Sequence, residues 1–164
     1  MKIYTNIEFQ IEQLTALMAR LTEDDYCVQH GMSSSIGAHL RHMVEFLQIL
    51  VSAEKNQVID YASRKRDKLI ESDKAYATAM LQHLKVHMRK EEDFTLYVSE
   101  EGDRFTSSYL RELLYQHEHM VHHCAIVRLM LAGNPDVELD PSFGFARSTM
   151  AHKHKENQAD NVSA

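Results

Sequence analysis

The chain has 164 residues, enough for one domain with a real core, and its 44% hydrophobic and 26% charged residues are an ordinary globular balance. A formal net charge of −6 opposes nonspecific nucleic-acid binding, which needs a basic surface to displace counterions from phosphates. Two distant cysteines, Cys27 and Cys124, argue against a disulfide framework, and no apolar run resembles a signal peptide or a membrane span, so a soluble cytoplasmic protein is expected.

Only 5 Gly and 2 Pro occur, which favours long uninterrupted helices. Thr5-Asn6-Ile7-Glu8 has the form of a capping box, and Ile7, Ile11, Leu14, Met18 and Leu21 then recur at helical spacing. A first helix is expected from Asn6 to Leu21. Thr22 to Met32 reads as a connector broken at Gly31. Ser33, Ser34 and Ser35 offer N-caps for a second helix, with Ile36, Leu40, Met43, Leu47 and Leu50 as its apolar stripe and an end near Lys55. Asn56 to Glu71 has no clean period and reads as a long crossover connection. Its Arg64-Lys65-Arg66 run, followed by Asp67, is expected to be a solvated loop.

A third helix starts near Ser72-Asp73, with Tyr76, Met80, Leu84 and His87 or Met88 on one face. Phe94, Leu96 and Val98 then alternate with polar residues, and Glu100-Glu101-Gly102-Asp103 signals a turn, so a short β-hairpin is expected before the last helix. Ser107 or Ser108 caps that helix. Its expected apolar face is Leu110, Leu113, Leu114, Val121, Cys124, Val127 and Leu131, and Gly133-Asn134-Pro135 ends it. Pro141 to Phe145 is expected to pack back on the helices, and Lys153 to Ala164 to be disordered. The expected architecture is an all-α four-helix bundle, one domain over residues 1–150 with a polar tail over 151–164.

The compositional outlier is the 11 His. Four of them lie in His117-Glu118-His119-Met120-Val121-His122-His123. His119 and His123 are four apart, so on a helix they share a face and can hold two corners of a transition-metal site. A third ligand must come from another helix, and Ser35 to Met43 offers His39 and His42. Periodicity places His39 nearer the core stripe, with His42 further round. His122 should point to the polar side and His117 toward the core. The bland reading is that such histidines are solvated, or are core residues with hydrogen-bond partners. That reading is preferred for His83 and His87 and for His152 and His154 in the tail, while His30, in a connector, is uninformative. Glu45 and Glu118 are read as solvated helix charges. Cys124 and the methionines Met18, Met43, Met80 and Met130 are read as core.

Ser35-Ile36-Gly37-Ala38-His39-Leu40-Arg41-His42-Met43-Val44-Glu45, followed late in the chain by His119-Met120-Val121-His122-His123, resembles the DinB/YfiT-like superfamily. Tyr61, Arg64, Arg66 and Asp67 in the connection, and Phe143, Gly144, Ser148 and Thr149 near the end, strengthen the likeness. The resemblance implies a four-helix bundle, often dimeric, in which His42, His119 and His123 hold one divalent metal such as zinc, nickel or iron. His39 then supports the site or replaces a ligand. The function implied is a metal-dependent enzyme, a transferase or hydrolase using a low-molecular-weight thiol or another small molecule. The alternative is a non-catalytic, metal-stabilised or dimerising stress-response protein. A role for Arg64 or Arg66 in binding an anionic substrate requires the connection to fold over the site.

Overall fold

The computed structural model describes residues 1–29, 34–146 and 149–150. The tail histidines, His30, Gly31 and Ser148 therefore lie outside the described residues. Six α-helices and a three-stranded sheet make up the regular structure described: α1 (Lys2–Arg20), α2 (Glu23–Cys27), α3 (Ile36–Val51), β1 (Val58–Ile59), α4 (Lys68–Ser72), α5 (Lys74–His87), β2 (Thr95–Glu100), β3 (Asp103–Ser108) and α6 (Tyr109–Met130). A 3-10 turn occupies Tyr61–Ser63. No helix among the described residues is long and apolar enough to cross a membrane.

The four long helices touch in a ring, α3 against α6 and α5, and α1 against α5 and α6. Their facing stripes form the core. Tyr4, Ile7, Ile11, Leu14 and Met18 of α1 are buried, as are Leu40, Met43, Leu47 and Leu50 of α3, and Leu81 and Leu84 of α5. Each such side chain contributes about 1.5–3 kcal/mol on burial.

The apolar stripe of α1 begins at Tyr4, so the helix starts at Lys2 and Thr5 lies inside it rather than capping it. The capping box is instead at Thr22 and Asp25, opening the unforeseen α2 within the expected connector. Ser35 caps α3 as its side chain accepts from the Ala38 N–H, and Ser108 caps α6 through the Arg111 N–H. Leu113, Cys124, Val127 and Leu131 of the expected α6 face are buried, but the core face differs from the expected one elsewhere. It runs through Tyr109, Leu113, Gln116, Met120, Cys124, Val127 and Leu131, spaced three or four apart, while Leu114 is 45% exposed. A polar Gln in this stripe hid the true period.

The β-hairpin forms as expected. The Glu101 and Gly102 φ angles of 50° and 92° suit a tight two-residue turn. The connection after α3 is not a plain loop. Val58–Ile59 pairs in parallel with Tyr97–Val98, so the chain is mostly helical with a small mixed sheet rather than all-α. Asp67 caps α4 and Asp73 caps α5. Gly37 lets α3 approach α4, because a Cβ there would lie 2.0 Å from the Glu71 carbonyl oxygen. Arg41 pairs with Glu71 across the same contact. Phe143 is 1% exposed, so the segment after α6 does pack back on the helices.

Candidate metal centre

The α3–α6 packing decides which histidines meet. His42 comes from the middle of α3, and His119 and His123 from successive turns of α6. His42 Nε2 lies 3.1 Å from His119 Nε2, which lies 3.0 Å from His123 Nε2. One ligand atom from each of the three falls within 4.8 Å of the others. All three side chains are half-buried.

The group passes a simple chemical test for a metal site. A neutral imidazole carries one N–H, so His119 Nε2 can donate to at most one of the two nitrogens facing it. Nitrogen ligands around one ion at about 2.0–2.1 Å sit about 2.9–3.4 Å from each other, the spacing seen here. Three imidazoles suit a divalent transition metal.

Electrostatics keeps these rings neutral. Burial, then His119, then Arg64 lower the pKa of His42 from 6.5 to about 4. Burial, with His119 and His42, lowers that of His123 to about 3. Burial also lowers His119, helped by His122 and Arg64, and it lowers His39. Lone pairs are therefore available at neutral pH.

His39 stands behind the group rather than in it. Its Nδ1 lies 2.9 Å from His123 Nδ1, on the ring edge opposite the Nε2 that faces His119. If His123 offers its Nε2 lone pair to an ion, its Nδ1–H donates to His39 Nδ1. The His39 proton then sits on Nε2, a buried atom with no hydrogen-bond partner among the described residues. His119 Nδ1 is buried and without such a partner as well.

An aromatic wall closes one side. The Phe46 ring centroid is 4.4 Å from that of His42 and 4.6 Å from that of His119. Tyr61 stacks on Phe46 at 4.9 Å, and Tyr115 stacks on His119 at 5.6 Å. The Tyr61 hydroxyl donates to the buried Glu112 at 3.0 Å, and Ser107 donates to the same carboxylate at 2.6 Å. Burial pushes the phenols of Tyr61 and Tyr115 up, so both stay protonated.

The connection does fold over this end of α3. Arg64 lies 5.3 Å above the Phe46 ring and donates to the Tyr61 carbonyl. Glu45, expected to be solvated, is 2% exposed. Its Oε1 accepts the Asp67 backbone N–H at 2.6 Å, and the Arg64 Nε is 3.8 Å from its Oε2. The reason is topological, because the connection covers the face of α3 on which Glu45 sits. Arg66 is exposed at a φ of 55°.

The other histidines lie elsewhere. His83 and His87 stack on the exposed face of α5 with ring centroids 4.1 Å apart. His122 is exposed, and His117 is half-buried beside Phe9 and Phe145. Cys124 is buried, and its thiol is pushed up to about 12, which leaves it unreactive.

The chain matches the sequence model of one family, described as the DinB family, over residues 1–147. The chain belongs to the DinB family. No curated protein and no solved structure matches it. In this DinB-family chain, sequence reading missed Tyr115, Glu112 and Glu45 as parts of the site's surroundings. Tyr115 had a usable signal, since it precedes His119 by four residues and so shares its face. The two glutamates had none, because their burial depends on the connection and the hairpin.

Proposed function

We propose that His42, His119 and His123 hold one divalent transition metal inside a four-helix bundle spanning residues 1–150, and that the protein is a metal-dependent transferase or hydrolase. The convergence of three neutral imidazoles from α3 and α6 is the observation that carries this reading. A divalent ion bound by three protein ligands supplies Lewis acidity and lowers the pKa of a water or low-molecular-weight thiol at its remaining position.

The chain's own residues have separable tasks. His39 holds the His123 ring in the orientation that turns Nε2 inward. Phe46, Tyr61 and Tyr115 keep bulk water from one side of the imidazoles. Arg64 places its positive charge near His42 and His119, where it is paired with the buried Glu45. Zinc, nickel and iron all suit the donor set. A cytoplasmic homodimer remains the expected setting.

Cobalt(II) loading tests the open position. The cobalt protein should gain a thiolate-to-metal absorption band on addition of 2-mercaptoethanol, and the band should be absent in His119→Ala. A cobalt spectrum unchanged by thiol and by pH would mean a closed, structural centre instead of a catalytic one.

A further inference from the structure

The sheet ends on β3, whose outer side pairs with no strand among the described residues. Thr106 stands opposite Tyr97, and the Tyr97 N–H donates to the Gln57 carbonyl on the β1 side. Opposed residues of an antiparallel pair bond each other only at every second position. Thr106 and, two residues away, Arg104 therefore turn their N–H and C=O groups outward. Residues 103–106 are exposed. An open edge of this kind is a template for another strand.

Three features select a second copy of the chain as that strand. The first is register. Antiparallel pairing with Arg104 opposite the partner's Thr106, and Thr106 opposite the partner's Arg104, satisfies all four outward groups with four hydrogen bonds. The Arg104 side chain leaves the edge clear, because its guanidinium lies over the Tyr97 ring at 3.7 Å. The second is Phe105, which is 54% exposed at the centre of this register. It stands there directly opposite the partner's Phe105, and each ring covers the other. The third is charge. The same register sets the acidic Glu101–Gly102 turn of one copy against Ser108 and Tyr109 of the other, at the positive N-terminal end of the long helix α6. Arg111, exposed and 3.9 Å from Glu112, stands in that first helical turn.

We propose that β3 pairs antiparallel with β3 of a second copy, Phe105 against Phe105, joining the two hairpins in one continuous sheet. The inference rests on the homodimer expected above, to which it gives a surface, and does not depend on the metal. Phe105 also lines a cavity of about 340 Å³ together with Tyr61 and with Tyr115, the ring stacked on His119. Pairing brings the partner's Phe105 to the border of that cavity.

Sedimentation velocity of the full chain over a concentration series reads the association, and disulfide trapping reads the register. Thr106→Pro removes an outward N–H and leaves the β2–β3 ladder whole. It should weaken dimerisation about tenfold or more with an unchanged far-ultraviolet circular dichroism spectrum. Cys27→Ser removes the exposed native thiol and serves as the background for trapping. In it, Phe105→Cys should cross-link on mild oxidation, because such a pair sets its Cα atoms about 4.5 Å apart, within disulfide reach. Asp103→Cys, whose counterpart lies four residues further along the facing strand, should not cross-link. A dimer that survives Thr106→Pro, or a Phe105→Cys chain that stays unlinked, would assign the homodimer to another face and overturn the edge pairing. Trapping of Asp103→Cys as fast as Phe105→Cys would overturn the register. A monomer at every concentration would overturn the edge pairing and the homodimer together, with the metal centre untouched.

Discussion

Acidification should destabilise the metal-free protein well before its carboxylates titrate. His39, His42, His119 and His123 all have folded-state pKa values below the ordinary 6.5, with His42 at about 4 and His123 at about 3. The unfolded chain takes up protons that the folded chain refuses, so stability is full above about pH 6.5 and falls as the pH drops toward the folded values. At pH 5.5 His42 and His123 each cost about 1.4 kcal/mol, roughly 3 kcal/mol together, and His39 and His119 act in the same direction. That is a large fraction of the whole stability of many domains. Urea unfolding of chelator-treated protein at pH 7.5 and pH 5.5 measures the drop directly. A His42→Leu variant should show a smaller drop, and His83→Ala at the exposed α5 position should show the wild-type one. Equal unfolding free energies at the two pH values would refute the claim that these imidazoles are held neutral by burial and by one another.

Three further outcomes follow from named contacts. His39→Phe should lower metal affinity about 10- to 100-fold in competition with a chromophoric chelator, by leaving His123 Nδ1 unsupported, while His83→Phe leaves it unchanged. Gly37→Ala should destabilise by more than about 2 kcal/mol in thermal unfolding, because its Cβ meets the Glu71 carbonyl and the α3–α4 contact must open. Tyr61→Phe keeps the stack on Phe46 but removes one donor to the buried Glu112, and should cost about 1–2 kcal/mol in urea unfolding.

The long helices were legible wherever an unbroken stripe of apolar side chains set the period, as from Ile36 to Leu50. The α6 face was read correctly at Leu113, Cys124, Val127 and Leu131 but not in its middle turns, because Gln116 and Met120 occupy core positions while Leu114 faces water. The sheet strand at Val58–Ile59 is two residues long and exists only because Tyr97 and Val98 lie beside it, a long-range pairing that local pattern does not announce. At the site, the spacing of His119 and His123 was readable from the chain alone. Periodicity alone placed His39 nearer the α3 stripe than His42, and only the likeness to the family motif pointed to His42. The helix crossing separates them, bringing His42 Nε2 to His119 and leaving His39 against the back of His123.

Elemental analysis of untagged protein decides whether one metal sits on the three imidazoles. Wild type, reconstituted with zinc, nickel or iron, should hold about one ion per chain, and His42→Ala and His119→Ala should each lose it while remaining folded. Absence of bound metal in wild type after all three reconstitutions, or full retention in either variant, would rule out a metal centre on His42, His119 and His123.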